Sequence, residues 1–136
     1  MADSYVIMTI RRDFDLVEEN EDGSYSQTSP INLPDYAYRY GAMITQAVFP
    51  DTRNIGAECF KGCESLKAIS MPKVETIGDG AFHGCESLAT LSENTPSLTT
   101  IGNNAFQNCT SLTINYASTA NVQTIGHNAF QNCQTI

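Results

Sequence analysis

Basic residues are scarce in this chain. Seven Lys and Arg stand against fifteen Asp and Glu in 136 residues, a formal charge of −8. A nucleic-acid surface needs a basic face to neutralise phosphates, so this balance excludes one. No stretch approaches the roughly 18 apolar residues of a membrane-spanning helix, and no membrane insertion is expected. The N-terminus, Met1-Ala2-Asp3-Ser4-Tyr5-Val6-Ile7-Met8-Thr9-Ile10, lacks the basic start and long apolar run of a secretory leader. The expectation is a chain that is not exported by that route, or one that begins after its leader.

Charge is also missing from the last third of the chain. Residues 94–136 contain no Asp, Glu, Lys or Arg, whereas residues 1–35 hold eight acids against Arg11 and Arg12. The acidic run reads as a solvated cap or loop. Catalytic groups are equally thin. The two histidines, His83 and His127, have no acid or nucleophile at a fixed spacing, and no nucleophile–base pair or carboxylate pair emerges. Gly78-Asp79-Gly80 is a bend without the Lys of a phosphate loop. The chain is expected to be no enzyme and to hold no cofactor or metal.

What the chain does have is repetition. Ile77-Gly78-Asp79-Gly80-Ala81-Phe82-His83-Gly84-Cys85-Glu86-Ser87-Leu88 returns from Ile55, from Ile101 and from Ile125, with a fainter copy from Leu33. These starts lie 22, 22, 24 and 24 residues apart. A fixed period in this range marks a solenoid, whose coils stack and bury a thin core between neighbours. Residues 1–30 fall outside the repeat and are read as an N-terminal cap, with a strand in Tyr5-Val6-Ile7-Met8-Thr9-Ile10. Residues 31–136 are read as about five coils, the last incomplete.

Each repeat has two halves. In the first, Ala81, Phe82, Cys85 and Leu88 follow the i, i+1, i+4, i+7 spacing of one buried helical face. One or two helical turns are expected, held by packing. The preceding glycine (Gly56, Gly78, Gly102, Gly126) is placed at a sharp bend. Asp79, Asn103 and Asn128 lie where side chains accept the orphan amides of a helix start. In the second half, Leu66-Lys67-Ala68-Ile69-Ser70-Met71-Pro72 reads as a short strand, with Leu66, Ile69 and Met71 inward. Its outward positions and their equivalents are Gln46, Val48, Ala68, Ser70, Thr90, Ser92, Thr113 and Asn115. Val74 and Ile77 close the coil as a second apolar pair. The fold class expected is therefore an α/β solenoid with parallel strands on one face and short helical turns on the other.

The cysteines Cys59, Cys63, Cys85, Cys109 and Cys133 all fall on the inward face and read as buried free thiols acting as small hydrophobes. At Cys85, alanine is expected to be tolerated better than serine, whose hydroxyl would need a buried partner. Phe60, Phe82, Phe106 and Phe130, with Tyr38, form a second inward ladder.

The signature Ile-Gly-x-x-Ala-Phe-x-x-Cys-x-Ser-Leu, with a proline after the strand, resembles the BspA-type leucine-rich repeat over residues 31–136. The resemblance implies a right-handed solenoid. It also implies a setting in bacterial and protozoan surface proteins that bind host proteins or other cells, and similar repeats occur in prophage-encoded proteins. The family offers no catalytic residues to carry over. The function expected on these grounds is a cell-surface or extracellular adhesion module, its protein or glycan ligand taken by the outward strand positions. The alternative is a structural spacer, cytoplasmic or in a virion. The last copy ends at Ile136 without its strand, so that end is expected to be cut, capped or paired. End-to-end association of copies through the C-terminal coil is one form of this.

Overall fold

The computed structural model describes the backbone of residues 8–10, 15–19, 25–26, 31–91, 95–113 and 120–134. Among the described residues, eleven short strands fall into two sheets. The first sheet runs β1(Met8–Ile10), β2(Asp15–Glu19), β5(Gln46–Val48), β7(Ala68–Ser70), β9(Thr90–Leu91), and β3(Tyr25–Ser26) also pairs with β2. The second runs β11(Thr124–Ile125), β10(Thr100–Ile101), β8(Thr76–Ile77), β6(Asn54–Ile55), β4(Asn32–Leu33). All pairings between coils are parallel, and in register with the repeat: Ala47 opposite Ile69, and Ile55 opposite Ile77. The N-terminal segment joins this stack directly, because β2 pairs parallel with β5 while β1 and β3 pair antiparallel with β2.

The coils from Leu33, Ile55 and Ile77 thus contribute one described strand to each sheet, and the Val-x-x-Ile pair read as a closing contact contains the strand of the second sheet. Inward residues follow the columns expected from the repeat. Leu33, Ile55, Ile77 and Ile101 are buried, as are Leu66, Ile69, Met71, Leu88 and Leu112. The rings of Phe60, Phe82, Phe106 and Phe130 stack nearly parallel at 5.2–5.4 Å between centroids, and Tyr38 continues the column onto Phe60.

The stretch expected to be helical is not a helix, and no helix occurs among the described residues. Left-handed backbone interrupts it. Two positions four residues apart carry positive φ in every coil: Tyr36 and Tyr40, Glu58 and Gly62, Gly80 and Gly84, Asn104 and Asn108, Asn128 and Asn132. A helix cannot pass through such points. Instead, amides alternate in what they bond. Ala81, His83 and Cys85 close turns onto Gly78, Gly80 and Phe82, whereas Gly80, Phe82 and Gly84 reach the carbonyls of Asn103, Ala105 and Gln107 in the next coil. The turns therefore form a backbone ladder of their own, as regular as a sheet.

The glycine column has a different cause from a bend. A Cβ on Gly56 would lie 2.5 Å from the Asp35 nitrogen, and one on Gly78 2.7 Å from the Ala57 nitrogen. Adjacent coils pass too closely here for any side chain. Each of these glycines also donates its amide to the coil before it, Gly56 to Leu33 O and Gly78 to Ile55 O. In the first coil the position is held by Pro34, which has ring atoms and no amide hydrogen. The acidic and amide residues beside this column link coils instead of capping helices: Asp35, Asp79 and Asn103 accept the amides of Ala57, Asn103 and His127, each at 2.8 Å. Asn128 instead occupies a left-handed position.

Candidate functional site

The outward strand positions lie on the face of the first sheet. Gln46 is exposed, and Val48, Ala68 and Ser70 are half-buried, alternating with the buried Ala47 and Ile69. Register aligns Gln46, Ala68 and Thr90 in one row and Val48 with Ser70 in the next. Asp15 on β2 extends the first row, standing opposite Gln46. The result is an outward face on which Gln46, Val48, Ala68 and Ser70 stand in register. Thr113 belongs to a different row. Its amide bonds Ala89 O, just as Ala89 bonds Lys67 O, so it aligns with Lys67 and not with Ala68. Thr113 follows Leu112 as Ala89 follows Leu88 and Lys67 follows Leu66. Ser92 and Asn115 lie outside the described residues.

The thiols form an inter-coil device. Cys63, Cys85, Cys109 and Cys133 donate their S–H to Tyr38 O, Phe60 O, Phe82 O and Phe106 O at 3.0–3.2 Å. All five cysteines are free, and only Cys133 is not fully buried. Burial pushes Cys63 up to about 11 and Cys59 and Cys109 up to about 12, above the usual thiol value. Cys85 moves further in the same direction. Such thiols are poor nucleophiles at neutral pH. A serine at Cys85 would find Phe60 O within reach, so the expected lack of a partner for its hydroxyl does not hold.

Among the described residues, no three His, Cys, Asp or Glu side chains converge as a metal site would need. His127 is exposed. His83 is partly buried, and that burial, with Lys61 nearby, lowers its pKa. No helix among the described residues is long and apolar enough to cross a membrane.

The family model described as the BspA type leucine rich repeat region (6 copies) matches residues 31–136. The chain belongs to the BspA-type leucine-rich repeat family. This family is generally non-enzymatic and often surface-associated. A solved relative is a leucine-rich repeat protein of T. pallidum, with TM-score 0.67 and 25% identity over 89% of this chain. This chain spans 65% of the length of that protein. No curated protein sequence matches the chain.

Within this BspA-type solenoid, the turn face carries features that the repeat pattern concealed. On the first coil, Tyr36, Tyr40 and Met43 are 52%, 61% and 61% exposed. The Arg39 guanidinium lies 4.6 Å from the Tyr36 ring centre and 5.4 Å from that of Tyr40, and it donates to Glu58 at 3.2 Å. Masked by their places in the faint first copy, these residues had one available signal: tyrosine stands where later copies have Gly or Asn, or Glu at position 58. On the second sheet, Asn32, Asn54, Thr76, Thr100 and Thr124 form an outward polar row. Within it Asn54 donates to Asn32 and Thr76 donates to Asn54.

Proposed function

We propose that this BspA-type chain is a non-enzymatic interaction module that binds a macromolecular partner, by preference a protein, at the outside of a cell. The observation that carries this reading is the outward face of the first sheet. Gln46, Val48, Ala68 and Ser70 stand there in two aligned rows. Short side chains on rigid parallel strands give a surface that needs little ordering on binding. The family's frequent surface association and its lack of shared catalytic residues support the same reading. The test is binding of the labelled chain to a panel of immobilised extracellular proteins and glycans. A bound protein whose affinity drops at least about tenfold on Ala68→Arg, with an unchanged circular dichroism spectrum, supports the reading. Binding that ignores this substitution sinks the sheet-face assignment.

A second reading, a rigid spacer in an assembly, draws on the last coil. Ile125 is 54% exposed. Among the described residues no backbone carbonyl receives the amides of Asn128, Phe130 and Asn132, whose equivalents tie each earlier coil to its successor. Light scattering decides whether copies associate there: a stable oligomer without ligand supports it, and a strict monomer at high concentration counts against it.

A further inference from the structure

We infer that the first coil carries a second docking patch, formed by Tyr36, Arg39, Tyr40 and Met43, for a polypeptide that presents a carboxylate among apolar side chains. The inference rests on the interaction-module reading and places a partner on the turn face instead of the sheet.

Backbone strain is the first observation. Tyr36 and Tyr40 sit at φ 64° and 62°, a region that bulky side chains avoid. Seven of the eight equivalent positions in later coils hold Gly or Asn, and the eighth holds Glu58. The fold does not need tyrosine at either place. Nor does burial compensate, because both rings are more than half exposed, unlike Tyr38 between them, which stacks on Phe60. Strained, exposed aromatic residues in a backbone that accepts asparagine point to a use outside the fold.

The cluster is also pre-ordered. Arg39 lies over both rings, which limits the freedom of all three side chains. The Tyr40 ring rests against the bare backbone of Gly62, where a Cβ would come within 2.5 Å of it. Binding would therefore order little that is not already ordered. Tyr, Arg and Met are the side chains enriched at protein interfaces, and Tyr and Arg dominate their energetic centres. The cluster stands on the outside of a turn and not in a cleft of the kind that encloses small ligands.

The guanidinium selects the partner. Arg39 and Lys61 approach the same carboxylate, Glu58, at 3.2 and 3.9 Å. The nearby Asp35 carboxylate accepts the Ala57 amide. Arg39 keeps donors beyond its bond to Glu58, and a partner carboxylate meets them.

The experiment selects a phage-displayed random peptide library against the whole chain. Selected peptides are then measured against wild type, the double variant Tyr36→Asn/Tyr40→Asn, Arg39→Ala, and the sheet-face variant Ala68→Arg. The expected peptides carry Asp or Glu beside aromatic or aliphatic residues. They lose about 30-fold in affinity on the double variant, as loss of an interface centre implies, and keep wild-type affinity for Ala68→Arg. The double variant melts at or above the wild-type temperature, because asparagine suits the left-handed backbone. A lower melting temperature makes the tyrosines structural and overturns the inference. Peptides sensitive only to Ala68→Arg overturn it while leaving the sheet-face reading intact, and a library that yields no binder counts against both. Selected peptides without acids overturn the charge argument. A panel of neutral oligosaccharides that bind wild type and not the double variant reassigns the patch to carbohydrate.

Discussion

In the first two coils the left-handed turn positions carry Tyr36, Tyr40, Glu58 and Gly62; in the fourth and fifth they carry Asn104, Asn108, Asn128 and Asn132. The difference extends across the surface. Ion pairs link the early coils: Arg39 to Glu58, Lys73 to Asp51 and Arg53 to Glu75. In the late coils neutral amides take their place, Gln107 bonding Gln131 and Asn132 donating to Asn108. Beneath both surfaces the backbone ladder and the ring column are the same. The comparison separates what the repeat requires from what it permits. Glycine beside the isoleucine, a small residue before the ring, and the ring itself belong to the fold. The left-handed positions and the column of Arg39, Lys61, His83, Gln107 and Gln131 are open to other uses.

If one core underlies both halves, Phe60→Ala and Phe106→Ala should cost alike, about 3–5 kcal/mol each in denaturant melts. A difference above about 2 kcal/mol between them, or a loss below about 1 kcal/mol at either, breaks the claim of a shared core. The thiol column gives the next effect. Because the folded pKa values are raised, the stability they contribute is fully present below the usual thiol value of about 9. It is lost as pH rises toward about 11 to 12. Each such thiol should remove about 1.4 kcal/mol per pH unit across that window. A melting temperature that is flat from about pH 8 to about pH 11 would contradict the burial of these groups.

Smaller effects test where the halves diverge. Asn108→Ala should destabilise by about 1 kcal/mol, since alanine tolerates the left-handed backbone less well. At the equivalent position of the first coil, Tyr40→Asn should have the opposite sign. Equal signs would remove the distinction between permitted and required positions. Lys73→Ala, which removes an exposed pair with Asp51, should cost under about 0.5 kcal/mol and only at low salt.

The burial of Ala81, Phe82, Cys85 and Leu88 was legible in their spacing, and so was the inward set Leu66, Ile69 and Met71. The conformation that buries the first group was not. An i, i+1, i+4, i+7 pattern describes a helix, but a turn ladder of the same pitch produces it equally well. The deciding marks were Gly80 and Gly84, then Asn104 and Asn108: residues four apart that accept positive φ. The second sheet was missed because Thr76-Ile77 and its equivalents pair for only two residues, too few for an alternation to show. The glycine column was visible, but its cause lies in the neighbouring coil, and spacing along one chain does not reveal a contact across two. Thr113 was put in the wrong row because Leu112-Thr113-Ile114 changes phase there. The Tyr36–Arg39–Tyr40 cluster was read as a weak copy of the repeat, since its departure from the consensus is the feature itself.

Pro34 settles a question of symmetry. A second copy that continued the last coil in the solenoid's own register would have to place Pro34 where every other coil has glycine. Its ring would meet the backbone of Gly126, and it would bring no amide for Ile125 O. Head-to-tail joining in the solenoid's own register, an arrangement that would propagate into filaments, meets that proline.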